Sequence, residues 1–333
     1  MFKVTTIIIL LCCCVFYVGA QNIPPEAGIW DAEWNPDNTL LAVANPGGQV
    51  YIYDVNGDLV QSLAGHDQRT VAVTWSPSSE IIVSSGWDGY IRFWDVETGN
   101  LLQEIDVPWG SVHVLDWQPN GAYLATSGLD TVQVWDTTTY RPVTIGAGAS
   151  LLDIEWHPDG SSFTFGSINT PGIARIDDDQ FDTMRFTING EVPNMRTSSV
   201  SWNSDGTQVI STHEREGIYI WDAGTGEAMR LLFQNDETFQ DATFVGEGDV
   251  NVTALTAEGS IYTLDASTGE VLEVSQADAF LWTLSWNPQE ELLAIGGTNN
   301  LLEALSNDDT RNIETSGFLT IRPAEISETE SDQ

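Results

Sequence analysis

VAVTWSPSS at 71–79, IIVSSGWDG at 81–89, YIRFWDVETG at 90–99 and LLQEIDV at 101–107 form one unit of four short runs. Apolar and polar residues alternate within each run, and β-branched or aromatic side chains fill them. Pro77, Gly89 and Gly99 mark the breaks. Period-two alternation bounded by turn residues predicts four half-buried antiparallel strands. Two landmarks punctuate the unit: Trp75 before a Ser-Pro turn, and Trp94 followed by Asp95.

Both landmarks recur in each direction along the chain. The first reads Trp34-Asn35-Pro36, Trp75-Ser76-Pro77, Trp117-Gln118-Pro119, Trp156-His157-Pro158, Trp202-Asn203-Ser204, Phe244-Val245-Gly246 and Trp286-Asn287-Pro288. The second reads Tyr53-Asp54, Trp94-Asp95, Trp135-Asp136, Ile176-Asp177, Trp221-Asp222, Leu264-Asp265 and Leu305-Ser306. A repeat of about 40–45 residues carrying short strands and an aromatic-Asp pair is the sequence form of one propeller blade. The expectation is therefore an all-β, seven-bladed β-propeller of four-stranded antiparallel blades over residues 28–322, as a single domain. A strand-like run at Ile313–Arg322 is expected to complete the last blade, because the short lead at 21–27 contains Pro24-Pro25 and makes a poor ladder strand. Residues 323–333 are acidic, lack aromatics and are expected to be a disordered tail.

The pattern resembles the WD-repeat β-propeller family over essentially all of 28–322. In that family a blade is often tied by a tetrad of His, Ser or Thr, Asp and Trp. The resemblance implies that His66, Ser84, Asp88 and Trp94 fill it here, with Ser85 in place of Ser84 if the register slips by one. Blade 3 retains Thr126, Asp130 and Trp135 without a Gly-His pair, and blade 5 retains Trp221-Asp222. The resemblance also implies a scaffolding function that engages a protein partner.

Charge narrows the choice of partners. The chain has 49 acidic and 11 basic residues, a net charge of −38, and its only lysine is Lys3. Nucleic acid and anionic lipid surfaces require cationic side chains, so neither is an expected partner. Residues 1–20 hold Lys3, an apolar stretch from Val4 to Val18 and Val18-Gly19-Ala20 before Gln21, which reads as a secretory signal peptide and predicts a secreted or extracytoplasmic monomer. Retention of residues 4–20 as a membrane anchor is the alternative. A lipidated cysteine at Cys12, Cys13 or Cys14 is disfavoured by bulky Leu10 and Leu11. With all three cysteines in that segment, no disulfide framework is available to the rest of the chain.

Signatures of catalysis are missing: no HExxH, GxSxG or glycine-rich phosphate loop occurs. Two constellations remain as binding candidates. Trp30, Trp87, Trp109 and Trp282 are additional to the blade landmarks and map, with Arg69 and Arg196, to loops at one end of the channel. Aromatics and arginine anchor interfaces, so these are the candidate binding residues, with packing of the rings between blades as the other reading; a small ligand or glycan at the channel mouth, bound or hydrolysed, is the alternative to a protein. Asp31, Glu33, Asp116, Asp153, Glu155 and Asp241 share the polar phase of the inner strands and converge on the channel. They form either a solvated wall or, as oxygen donors, a site for Ca²⁺. No other cofactor is expected. Asp177-Asp178-Asp179 with Asp182 reads as a solvated loop, and Asn251-Val252-Thr253 is a glycosylation sequon within a predicted strand.

Overall fold

A computed structural model describes residues 28–108, 110–128, 131–147, 151–177, 180–298 and 317–323. Blade 1 comprises β1 (Asp31–Trp34), β2 (Leu40–Asn45), β3 (Gln49–Asp54) and β4 (Leu59–Ala64). Blade 2 comprises β5 (Thr70–Trp75), β6 (Ile81–Gly86), β7 (Tyr90–Asp95) and β8 (Leu101–Asp106). Blade 3 follows with β9 (Val112–Trp117), β10 (Tyr123–Gly128), β11 (Thr131–Asp136) and β12 (Arg141–Ala147). Blade 4 contains β13 (Leu151–Trp156), β14 (Ser162–Ser167), β15 (Gly172–Asp177) and β16 (Gln180–Arg185). Blade 5 contains β17 (Thr197–Trp202), β18 (Gln208–His213), β19 (Gly217–Asp222) and β20 (Ala228–Phe233). Blade 6 contains β21 (Phe239–Val245), β22 (Asn251–Thr256), β23 (Ser260–Asp265) and β24 (Val271–Gln276). A closing sheet of β25 (Phe280–Asn287), β26 (Leu292–Thr298) and β27 (Gly317–Pro323) completes the order.

The expectation of seven four-stranded blades is overturned. Six sheets are four-stranded blades, and the closing sheet has three strands among the described residues. Its third place is filled by β27, not by the run around Leu305-Ser306, which lies outside the described residues. Arg322 sits opposite Leu293 as Tyr53 sits opposite Leu41 in blade 1. The run expected as a fourth strand is thus the third. A landmark period counts positions along the chain and is blind to an interval such as 299–316 placed between two paired strands.

Turn chemistry explains both landmarks. After each first landmark the chain turns back and a residue enters the left-handed region: Asn38, Ser79, Gly121, Gly160, Gly206, Asp249 (with Gly246 and Gly248 beside it) and Glu291. Its N–H closes the turn, as in Ser79 N to Ser76 O at 2.9 Å and Gly160 N to His157 O at 2.7 Å. That is a type I turn with a left-handed fourth residue, and Pro at its second position presets the backbone. The Asp of the second landmark accepts backbone N–H groups of the next turn, as in Thr98 N to Asp95 Oδ1 and Thr268 N to Asp265 Oδ1, both 2.7 Å.

The core lies between blades. Ala42, Val50, Ile52 and Leu63 of blade 1 pack against Val73, Trp75, Ile82 and Trp94 of blade 2, and equivalent clusters join each later pair. Ile29, Trp34, Leu41 and Val43 pack against Ala294 and Ile321 of the closing sheet. Each innermost strand touches the next, and β1 touches β25, so the sheets form a closed ring around a channel. Burying one such Leu, Ile or Phe side chain stabilises by about 1.5–3 kcal/mol, and the ring shares that gain around its circumference. The antiparallel meanders put the first and third turns of every blade on one face. The second turns and the blade-to-blade connections lie on the other.

Candidate functional site

Blade 2 holds the most complete polar network. Trp94 Nε1–H donates to Ser84 Oγ at 2.8 Å, Ser84 lies 2.8 Å from His66 Nε2, and His66 Nδ1 lies 2.9 Å from Asp88 Oδ1. One proton assignment satisfies these three contacts, with Ser84 donating to Nε2 and His66 donating from Nδ1 to Asp88; Arg92 Nη1 lies 2.5 Å from the same Nδ1. The four expected tetrad residues are in contact, and Ser85 instead donates to Val112 O at 3.1 Å. Arg92, which the sequence reading passed over, donates from Nη1 to Asp88 Oδ2 at 2.6 Å and from Nε to Glu104 at 2.8 Å. Burial acts to raise the Asp88 carboxyl. Hydrogen bonds and charge from His66 and Arg92 outweigh it and hold the group well below the usual carboxylate range.

A second relay, also missed, runs through blade 5. Trp221 Nε1–H donates to Ser211 Oγ at 2.7 Å, and Ser211 lies 2.7 Å from His213 Nε2. His213 comes from the end of β18 rather than from a Gly-His loop. Burial pushes it down to about 4, so it is neutral at physiological pH. In blade 3, Trp135 Nε1–H reaches Thr126 Oγ1 at 3.0 Å; Asp130 lies outside the described residues.

The channel encloses a cavity of about 890 Å³. Asp31, Glu33, Asp116, Asp153, Glu155 and Asp241 all line it, as their phase on the inner strands requires. Each serves as a staple to the next blade. Val73 N donates to Asp31 at 2.9 Å, Val200 N to Asp153 at 2.8 Å and Leu284 N to Asp241 at 2.8 Å. One tier further along, Trp156 N donates to Asp116 at 2.5 Å and Trp202 N to Glu155 at 3.1 Å, and Trp75 N bonds Glu33. Ser285 Oγ takes the same part at the seam, accepting from Trp34 N at 3.1 Å. Burial, with the charge of Asp241 added, pushes Asp31 up to about 6, and burial pushes Asp116 up to about 7. Glu33, Asp153 and Glu155 rise well above their ordinary values through burial and neighbouring carboxylates, and burial raises Asp241. Among the described residues no three acidic, His or Cys side chains gather closely enough to hold a metal ion. Each of the channel carboxylates has an oxygen that accepts a backbone N–H group of the next blade.

At the channel end formed by the blade-to-blade connections, Trp30 and Trp87 meet edge to face at 5.6 Å. The Arg69 guanidinium lies 4.9 Å from the Trp87 ring centre and 5.5 Å from that of Trp30. Arg69 is buried while Trp87 remains 38% exposed. Trp282 lines the same cavity as Trp30, and its Nε1 has no hydrogen-bond partner. Arg196 does not join this cluster; it pairs with Glu214 at 3.3 Å, with both side chains about half exposed. Trp109, Asp178 and Asp179 lie outside the described residues. Asn251 and Thr253 are buried in β22, which keeps the sequon from a modifying enzyme in the folded chain.

Residues 32–120 match the WD40 domain of anaphase-promoting complex subunit 4. The chain is 25% identical over 256 residues to eukaryotic translation initiation factor 3 subunit I of Scheffersomyces stipitis, covering 71% of this chain and 73% of that protein. The same subunit of Lodderomyces elongisporus is 23% identical over the same shares. The F-box-like/WD repeat-containing protein TBL1X of Mus musculus is 28% identical over 144 residues, covering 43% of this chain and 27% of that protein. None of these names denotes an enzyme. Among the described residues no helix is long and apolar enough to cross a membrane.

Proposed function

Because the chain is a divergent member of the WD40-repeat family, we propose that it is a non-catalytic scaffold that docks a protein partner on the face carrying Trp87. The observation that carries this reading is the fixing of Trp87. Its ring packs against both Trp30 and the guanidinium of Arg69, yet 38% of it is open to solvent. An aromatic immobilised before binding loses little rotamer entropy when a partner covers it, which is the property of an interface anchor. Ile168, in the second turn of blade 4, adds an exposed apolar side chain to the same face.

The test compares the wild-type chain with Trp87→Ala in capture from the native extracellular fraction. The partner is expected to bind wild type and to be lost from the variant while the melting temperature stays within a few degrees. Equal recovery by both would sink the proposal. The open-ended cavity lined by Trp30 and Trp282 beside carboxylates favours a second reading, a small ligand or glycan in the channel mouth, which a glycan array run in parallel would detect.

The extracytoplasmic setting is part of the proposal. It is supported by the apolar stretch at 4–18 and by the confinement of all cysteines to residues 12–14. N-terminal sequencing of the chain recovered from cells tests it: a start at or near Gln21 is expected, and a retained Met1 in a membrane fraction would favour the anchor.

A further inference from the structure

The acids of the channel invite a question that docking on the outer face does not answer. Acidic side chains in a protein of net charge −38 are ordinarily turned to solvent, yet six of them are turned inward, where they face one another. The groups lining the channel can be named strand by strand. β1 contributes Asp31 and Glu33, β9 contributes His113 and Asp116, β13 contributes Asp153 and Glu155, and β21 contributes Asp241. β5, β17 and β25 contribute no titratable side chain to it, and the turns at the far mouth add Glu247, Asp249 and Glu291. No Arg or Lys lines the cavity among the described residues. Burial lowers His113 below its ordinary value, so it supplies no cation at neutral pH.

We propose that this channel is a pH-sensitive lock. Protons held on the inward carboxyls in mildly acidic solution keep the blades together, and their release towards neutral pH loads the channel with like charges that push the blades apart. The geometry is what makes proton occupancy matter. The carboxyls sit on the bonds that join blade 1 to 2, 3 to 4, 4 to 5 and 6 to the closing sheet, so repulsion between them acts directly across blade interfaces. Asp31 accepts from Ala32 N and Val73 N on separate oxygens, and Thr283 Oγ1 lies 3.4 Å away. Its position is therefore fixed, and it cannot swing out of the channel to escape a neighbouring charge. A carboxyl bearing a proton still accepts an N–H bond through its carbonyl oxygen, so the staples survive protonation while the repulsion does not.

The sign follows from linkage. These groups bind protons more tightly in the folded ring than in the unfolded chain, where aspartate titrates near 3.9. Their contribution is fully present below the unfolded value and is lost as pH rises through the folded values, about 6 for Asp31 and about 7 for Asp116. Surface repulsion has the same sign, but salt distinguishes the two. At about 0.5 M salt exposed charges are screened over a few ångströms, whereas the partly buried charges along the channel are screened less.

The experiment follows the melting temperature of the full chain from about pH 5.5 to 8 in about 0.5 M salt. A fall of several degrees towards pH 8 is expected, with a shallower fall for Asp116→Asn, whose Oδ2 staple an amide oxygen replaces. A flat or rising profile in the wild type, or an unchanged slope in Asp116→Asn, overturns the proposal. Should the variant not fold, carboxyl-carbon NMR of the wild-type chain decides. Aspartate and glutamate signals still titrating between about pH 5.5 and 7.5 support the lock, and complete ionisation by pH 5.5 refutes it.

Discussion

Asp88, in the second turn of blade 2, and Asp31, on the first inner strand, are aspartates that the ring withdraws from bulk solvent, and their carboxyls move in opposite directions. Burial raises both. Around Asp88 a guanidinium and an imidazole overcome that effect; around Asp31 the charge that acts is another carboxylate, Asp241. The charge facing a withdrawn acid, and not its depth, decides whether the acid holds its site together at neutral pH or strains it.

Removing the Asp88 side chain should break the comparison most severely. Asp88→Ala takes an acceptor from His66 and leaves Arg92 with Glu104 alone, and a loss of about 3–5 kcal/mol is expected in urea unfolding. Its pH dependence runs opposite to that of the channel. With its folded value depressed, Asp88 contributes above the unfolded value near 3.9 and loses that contribution as pH falls further. Stability should therefore peak in mildly acidic solution, with Asp88 failing on the acid side and the channel on the alkaline side.

Next in size is Trp94→Phe, which takes a donor from Ser84 and is expected to cost about 1–3 kcal/mol. Trp135→Phe in blade 3 should cost less, because Thr126 passes its own hydrogen onward only to Gln133 O. Equal losses at the two sites would show that the length of the relay contributes nothing. A smaller effect is expected at His213. Held down to about 4 against about 6.5 unfolded, it removes stability as pH falls through that window. His213→Gln should flatten the acid limb of a melting-temperature profile while leaving the fall towards pH 8 untouched. The smallest effect comes from the net charge of −38: the melting temperature should decline modestly from about 0.5 M to about 0.01 M salt, and a flat response would mean that surface repulsion is negligible.

Much of the ring was legible because each landmark is local chemistry. Trp75-Ser76-Pro77 encodes a turn, and Trp94-Asp95 encodes a strand end with its own N–H acceptor, so counting them counts blades. The closing sheet defeated the count. Leu305 fits the period, but pairing with Leu293 belongs to Arg322, and register depends on which strand the chain brings back rather than on spacing. The phase of the inner strands places all six acids along the cavity. Their partners were not legible, since Val73, Trp156, Val200 and Leu284 donate through backbone N–H groups that any residue type would supply. Arg92 sits two residues before Trp94 on the same face of β7, and Ser211 two before His213 on β18. Both pairs carry a period-two signal that a search for Gly-His loops passes over.

The seam deserves a mechanical reading. Blade 1 and the closing sheet meet through Ile29 N to Gly297 O, Trp34 N to Ser285 Oγ and Asn287 Nδ2 to Asn38 O. Among the described residues no strand of one is woven into the other. A force pulling residue 28 away from residue 323 is expected to open this seam, held by these bonds and by the apolar contacts of Ile29 and Trp34 with Ala294 and Ile321, before any single blade gives way, because no strand ladder crosses it.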